Sequence, residues 1–249
     1  MSTPASIPAP EAPAEVSSIG RVFGAIFNPG PTFESIVRRP NWLLPIILGC
    51  LIFMTVVAAF TYRGGWPSFF EKQDADNSRV QQMSPEARQS MLEKQEKIAP
   101  MFGYVEGAVL PFVSVLVVAG VLLGVFTLTG SVKVNFKTSL AIAAYAGLPW
   151  VIQGLLGVLV IFLKDPASVD LQNLVASNPG AFLAGDAPKW LAALLTSIDV
   201  FAIWNIALIG VGFSAINPKK LSFGKAFATV LVIWIFYVAV KVGVIALLT

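Results

Sequence analysis

Five long stretches of almost uninterrupted apolar residues dominate the pattern of the chain. They cover residues 42–62, 107–129, 138–163, 191–216 and 224–248. A bilayer core about 30 Å thick is crossed by roughly 20 helical residues, so each stretch has the length of a transmembrane helix. Backbone groups in lipid must satisfy one another, which favours helix in every stretch. The sequence therefore predicts an all-α integral membrane protein with a bundle of five transmembrane helices.

A shorter amphipathic segment precedes the first long stretch. Between residues 16 and 40, apolar side chains recur at helical spacing on both sides of the helix breaker Asn28-Pro29-Gly30-Pro31. We expect two short helices that lie in the membrane interface with their apolar sides towards lipid; the alternative is that they pack against the end of the bundle. Residues 1–15 hold four prolines and predict a disordered tail, which leaves residues 16–249 as one membrane domain. The apolar residues of the segment are Val16, Ile19, Val22, Phe23, Ile26 and Phe27 before the breaker, and Phe33, Ile36 and Val37 after it.

Residues 63–106 are predicted to form the main body outside the membrane. Ser84, Pro85 and Glu86 have the order of an N-cap, a proline in the first turn and an acid in the first turn. We expect a water-exposed helix over about 85–99 to follow. The mixed charges of this region are typical of a solvated surface.

Composition narrows the chemistry that the chain can perform. The sequence is 56% hydrophobic and 12% charged, and it has no histidine and a single cysteine, Cys50. Histidine-dependent acid–base catalysis and histidine-ligated metal sites are therefore excluded. No nucleotide-binding, nucleophile or metal-ligand motif is present, and the basic residues are dispersed. We expect no enzyme activity, no cofactor and no nucleic-acid partner.

The lysines of the short connectors set the predicted orientation. Connectors 130–137 and 217–225 carry five lysines and no acid. The other side of the membrane holds as many basic residues, but they are spread over longer loops, and basic residues orient spans most strongly in short loops. The sequence predicts a cytoplasmic N-terminus and an outer Thr249. The residues expected to contact anionic headgroups are Arg38, Arg39, Lys219, Lys220 and Lys225.

Asp199 is the most informative candidate residue. It lies in the fourth stretch, and a charge at a span centre costs about 2.5–3.5 kcal/mol, so a partner is expected. Lys241 lies in the fifth stretch at the same expected depth below the outer surface. The hypothesis is an intramembrane Asp199–Lys241 ion pair. The alternatives are that Lys241 extends to the outer headgroups and that Asp199 belongs to a proton or ion relay.

Small residues and a proline predict close helix packing. Pro149 removes a backbone hydrogen bond and is expected to kink the third span. Gly120 and Gly124 in the second span, and Gly154 and Gly157 in the third, are expected to let neighbouring helices approach closely.

Four short motifs follow one another along the chain. They are Phe27-Asn28-Pro29 with Phe33, Trp42-x-x-Pro45, Tyr145-x-x-x-Pro149, and Asp199-x-Phe201-x-x-Trp204 followed by Gly210 and Gly212. In this order, over about residues 20–248, the chain resembles the Yip-domain family of Ypt/Rab-interacting membrane proteins. The resemblance implies a five-span bundle with a cytosolic N-terminus and no catalytic residue. The motif or packing residues that it implies are Pro29, Pro45, Tyr145, Pro149, Phe201 and Trp204.

The resemblance also implies a class of function. Eukaryotic members of that family bind Rab-type GTPases and sort vesicle membranes, but their Asp-Leu-Tyr-Gly-Pro signature is missing here, which argues against a Rab-type partner. Arg39-Pro40-Asn41-Trp42 stands in that region. The Ala/Gly/Val-rich composition resembles the prokaryotic branch, so we expect a bacterial plasma membrane protein. We expect a non-enzymatic membrane adaptor or organiser, with lipids, a membrane or cytosolic protein, or a second copy of the chain as partners. The alternative is a small transporter or channel that uses Asp199.

Overall fold

The structure, a computed structural model, describes residues 17–75, 77–129, 131–171, 173–184 and 187–248. The tail predicted over 1–15 and the C-terminal Thr249 lie outside the described residues. Within these ranges the chain is helical and contains no strand. The α-helices are α1 (Ser18–Phe27), α2 (Pro29–Arg38), α3 (Leu43–Tyr62), α4 (Trp66–Ala75), α5 (Ser78–Gln81), α6 (Pro85–Leu128), α7 (Phe136–Ala146), α8 (Leu148–Leu163), α9 (Lys189–Ser197), α10 (Val200–Ile216) and α11 (Phe223–Leu248). Two short 3₁₀ helices cover Pro166–Ser168 and Pro179–Phe182.

The described helices are long and apolar enough to cross a membrane four times, or five times if a bent pair counts as one span. Helices α3, α6 and α11 match the first, second and fifth predicted stretches. The third stretch becomes α7 and α8, which meet at Gly147 and together have the length of a span. The all-α membrane fold is confirmed, because four of the apolar stretches form helices long enough to span a membrane and the remaining one forms a bent helix pair.

The fourth predicted span is not a continuous helix. Helices α9 and α10 meet at residues 198–199 with a bend of 46°. The apolar pattern continues across this point, so hydropathy alone does not reveal the break. Its consequence is that Asp199 stands at the end of a helix rather than in the middle of one.

Helix α6 joins two predicted elements. The expected water-exposed helix and the second span form one helix of 44 residues that runs through Pro100 and Pro111. At 1.5 Å per residue it is about 66 Å long, roughly twice the bilayer core. The prediction of a separate surface helix is therefore corrected: the exposed part is an extension of the span.

The two N-terminal helices differ in their surroundings. Helix α2 packs against α7 and α10, and Phe33 and Ile36 are fully buried in the main core. Helix α2 therefore does not lie in the membrane interface as expected; it packs against the bundle, which was the alternative. Helix α1 turns Arg21 and Ala25 inwards but leaves Ile19, Phe23 and Phe27 exposed, as an interfacial helix requires.

The connections lie at two ends of the bundle. Ala25 of α1, Ile36 of α2, Val132 of the α6–α7 connector and Leu221 of the α10–α11 connector belong to one core cluster. We call this the basic end, since it carries the lysine-rich connectors. The far end contains α4, α5 and the long α8–α9 connection, where Lys72 donates to the Ala167 carbonyl oxygen.

Glycines permit close contacts around α10. A methyl group on Gly212 would overlap Ile142 and Phe33, and one on Gly210 would press on the backbone of Phe227 in α11. In contrast, a Cβ on Gly120 or Gly124 would meet no atom of the described residues. The packing expected of this pair in α6 is wrong within the monomer, because these glycines do not face a neighbouring helix.

Candidate functional site

Asp199 is the N-cap of α10. Its Oδ1 accepts a hydrogen bond from the backbone N–H of Phe201 at 2.8 Å, which satisfies one of the donors that a helix start leaves free. The side chain is only 5% exposed. The sequence-based placement within a continuous span is therefore corrected: Asp199 lies where the fourth span breaks.

Three further side chains converge on the other carboxylate oxygen. Asp199 Oδ2 accepts from the hydroxyl of Ser177, from Asn178 Nδ2 at 3.4 Å and from Gln153 Nε2 at 3.4 Å. All of these groups are donors, which suits a carboxylate because it offers only acceptors. The carboxylate thus joins α8, α10 and the connection before α9.

The α8–α9 connection is held inside the bundle at this point. The Ser177 carbonyl accepts from the N–H of Val200 at 3.1 Å, a second donor at the start of α10. Asn178 also donates to Asn173 Oδ1 at 2.9 Å. Gly157 and Gly180 permit this position, because a Cβ on either would overlap Leu174 or Thr196 respectively.

Lys241 reaches the same region but does not form an ion pair with Asp199. Its Nζ donates to Ser197 Oγ at 3.1 Å, and the Ser197 hydroxyl donates in turn to the Ala193 carbonyl at 2.7 Å. Within the described residues the ion-pair geometry is limited to Arg38 and Glu34. The predicted direct Asp199–Lys241 contact is replaced by a lysine–serine bond two residues away, because the helix break turns the carboxylate towards Ser177.

A cavity of about 730 Å³ lies beside these residues. It is bounded by α3, α6, α8, α10 and α11, and Asp199 and Lys241 both line it. Asn205, another lining residue, donates to the Ala146 carbonyl oxygen at 2.7 Å. That carbonyl is at the α7–α8 break, where Trp150 N–H bonds to Gly147 instead. No group of three metal-ligating side chains occurs in the described part of the chain.

The six family-motif residues are found at helix starts and in the core. Pro29 begins α2, Pro45 is buried in the first turn of α3, and Pro149 is in the first turn of α8. Tyr145 is fully buried, and no described group bonds to its hydroxyl. Phe201 supplies the N–H that Asp199 accepts, and Trp204 packs against the core. These positions are structural.

The five residues expected at lipid headgroups are all exposed at the basic end. Arg38 forms an i,i+4 ion pair with Glu34 at 3.1 Å, with both side chains largely exposed. Arg39 follows α2 as its C-cap. Lys219, Lys220 and Lys225 surround the turn between α10 and α11.

Sequence reasoning missed the partners of Asp199. Ser177 and Asn178 lie in an irregular connection, and nothing in its local composition indicates that it enters the bundle. Gln153 lies directly before Gly154 in the third apolar stretch, where small residues predict helix packing. The sequence did contain one signal. A buried carboxylate needs hydrogen-bond donors, and Gln153 is one of the few side-chain donors in α8.

Comparison with known proteins gives one finding. A family model described as the Yip1 domain matches residues 23–245. The match begins within α1 and ends near the end of α11, so it includes every described span. No curated protein and no solved structure matches the chain significantly.

We expect Asp199 to be coupled in energy to Ser177 more strongly than to Lys241. Hydrogen bonds to charged groups contribute about 1.5–3 kcal/mol, and Asp199→Asn would turn an amide donor towards other donors or remove the cap. Double-mutant cycles of Asp199→Asn with Ser177→Ala and with Lys241→Met, measured on unfolding in detergent–SDS mixtures, give the two coupling energies.

The Ser197→Ala variant is the matched control, since the Ser197 hydroxyl bonds to Lys241 and makes no bond to the Asp199 carboxylate. A coupling of Asp199 with Lys241 as large as that with Ser177 would contradict the arrangement described here.

Proposed function

This chain belongs to the Yip1 domain family, a family of membrane-trafficking type, and on that premise we propose that it is a non-enzymatic adaptor or organiser that acts on the lipid surface at its basic end. The observation that carries the proposal is the exposed apolar stripe of α1 beside exposed arginines and lysines. A non-enzymatic role is part of the proposal, because the Asp199 carboxylate caps α10 and its other described partners are hydrogen-bond donors that hold it in place.

The stripe consists of Ile19, Phe23 and Phe27, which are 64%, 59% and 81% exposed. Their spacing of four residues places them on one side of α1, while Arg21 and Ala25 face the bundle. An exposed apolar stripe of this kind is stable when it rests in the boundary between headgroups and acyl chains. The apolar side of α1 is therefore best accommodated by lipid at this boundary.

The exposed basic residues favour an anionic membrane surface. Each lysine or arginine near such a surface contributes about 1 kcal/mol of attraction. Because the basic end carries two lysine-rich connectors, we place it on the cytoplasmic side of a bacterial plasma membrane, with the C-terminal end of α11 outside.

The α1 stripe is expected to protect α1 from solvent when the protein is in lipid. In nanodiscs that contain anionic lipid, Phe23→Ser with Phe27→Ser should speed amide hydrogen exchange in α1 by about tenfold or more, since burying a phenylalanine contributes about 1.5–3 kcal/mol. Exchange in α2 should stay slow because Phe33 and Ile36 hold it in the core.

Phe182→Ser is the control for this experiment, since Phe182 is 83% exposed, like Phe27, but lies at the far end. Equal exchange of α1 in the wild type and in the stripe variant would show that α1 does not rest on lipid. Deletion of residues 16–40 is unsuitable, because it would remove the core residues of α2.

The proposed orientation has its own measurement. In a Cys50→Ala background, cysteines introduced at Lys133 and Lys220 should react with an impermeant maleimide only after spheroplasts are opened. A cysteine introduced at Phe182 should react in intact spheroplasts. The reverse pattern would place the basic end outside and remove the electrostatic argument.

The alternative function is a small transporter or channel, favoured by the cavity that Asp199 and Lys241 line. In that case Asp199→Asn should abolish a solute or proton flux in liposomes while the unfolding stability stays unchanged. We expect the opposite result, a loss of stability without a flux to lose, because the four donors around the carboxylate tie it to the start of α10, to α8 and to the α8–α9 connection.

A further inference from the structure

A second cavity, of about 680 Å³, lies at the basic end and has a different chemistry. We call it the arginine pocket; it is lined by Ser17, Ser18, Arg21, Arg39, Pro40, Asn41 and Lys137. Among these described residues there are three cationic side chains and no carboxylate. A pocket with this lining selects an anion.

Arg21 is the buried cationic residue of the arginine pocket. It is 7% exposed, and its Nη1 donates to the Arg39 carbonyl oxygen at 2.8 Å, which fixes the guanidinium. Its Nε is buried and has no hydrogen-bond partner in the described structure. A buried guanidinium is costly without compensating contacts, and Arg21 forms part of the wall of the pocket, where an anion would offset its charge.

Hydroxyl and backbone groups complete the lining. Ser17 caps α1 by accepting from the N–H of Gly20 at 3.0 Å, so the start of α1 lies at the pocket. Asn41 donates to Ser18 Oγ at 3.1 Å, which leaves the Ser18 hydroxyl proton available as a donor. Arginine forks, hydroxyls and a helix start are the groups that bind phosphate.

The position of the pocket points to lipid as the source of the phosphate. Asn41 lies just before α3, and Lys137 lies in the first turn of α7, so two spans begin at the pocket. Leu43 and Phe136, the first residues of these helices, are exposed apolar side chains. The pocket is therefore at headgroup depth, with surfaces for acyl chains beside it.

We propose that the arginine pocket binds the phosphate of an anionic phospholipid headgroup, with Arg21, Arg39 and Lys137 as its cationic contacts. This proposal rests on the proposed function, since it names the lipid chemistry that the basic end recognises. It goes further because it assigns a defined site, whereas surface attraction alone would be spread over all exposed bases.

The test compares two pairs of charge removals in the full-length protein. One variant carries Arg39→Gln and Lys137→Gln in the pocket, and the control carries Lys133→Gln and Lys164→Gln, two exposed lysines, one at each end, that neither line it nor belong to the five residues expected at headgroups. Arg21 is left unchanged because it is buried and holds the backbone at Arg39. Native mass spectrometry from neutral detergent measures binding of phosphatidylglycerol, with phosphatidylcholine as the neutral lipid.

The pocket variant should lose about fivefold in phosphatidylglycerol affinity for each charge, or about 25-fold for both, because each contributes about 1 kcal/mol. The control variant should lose less than half of its affinity. Arg39→Lys should keep more of the affinity than Arg39→Gln, since it retains the charge.

Four outcomes would overturn the proposal. Unchanged binding by the pocket variant would do so, and an equal loss in the control variant would show general surface attraction instead, which leaves the proposed function standing. Inorganic phosphate that saturates the site and displaces no lipid would identify a soluble ligand. A wild type that binds both lipids equally would refute selection of an anionic headgroup by the pocket, and the anionic-surface role with it, because phosphatidylcholine carries the same phosphate beside a compensating positive charge.

Discussion

The structure depends on one constraint: a helix that breaks inside a membrane exposes backbone groups that water cannot satisfy. The described part of the chain has two such breaks, at Gly147 and at residues 198–199. Asn205 of α10 donates to the Ala146 carbonyl at the first break, and Asp199 accepts from the Phe201 N–H at the second. Asn205 and Asp199 therefore satisfy backbone groups that the two breaks leave free.

This constraint also explains why a loop residue enters the bundle. The start of α10 has more free N–H groups than one carboxylate can satisfy, and the Ser177 carbonyl takes the N–H of Val200. The same residue donates its hydroxyl to Asp199, so one short segment stabilises both the helix start and its cap. A carboxylate with four donors is poorly suited to pass a proton, because each protonation would break this set of hydrogen bonds. These contacts favour a structural role for Asp199. The proposed lipid-binding function therefore lies at the basic end and not in the interior of the bundle.

The sequence predicted the features that depend on length and composition, such as the spans. It did not predict which helix faces contact protein and which contact lipid. Five apolar stretches were enough to predict the spans, since only lipid accommodates them. Periodicity showed that α1 and α2 are both amphipathic, but it does not tell whether lipid or protein covers the apolar side; α2 meets α10 and α1 does not. The depth argument brought Lys241 near Asp199, yet the 46° bend redirected the carboxylate. Residues 177 and 178 bond to Asp199 and Val200 at that bend, and no local pattern records these tertiary contacts.

The family motifs are consistent with this division between scaffold and surface. Pro29, Pro149 and Asp199 start or cap helices, and Gly210 and Gly212 permit the contacts of α10 with α11, α7 and α2. A motif set of this kind specifies how the chain folds and carries no ligand chemistry. In contrast, Ser17, Ser18 and Arg21 of the arginine pocket precede residue 23, where the family match begins. The residues of the arginine pocket are not those that satisfy the broken helices, so the scaffold and the proposed lipid site depend on different side chains.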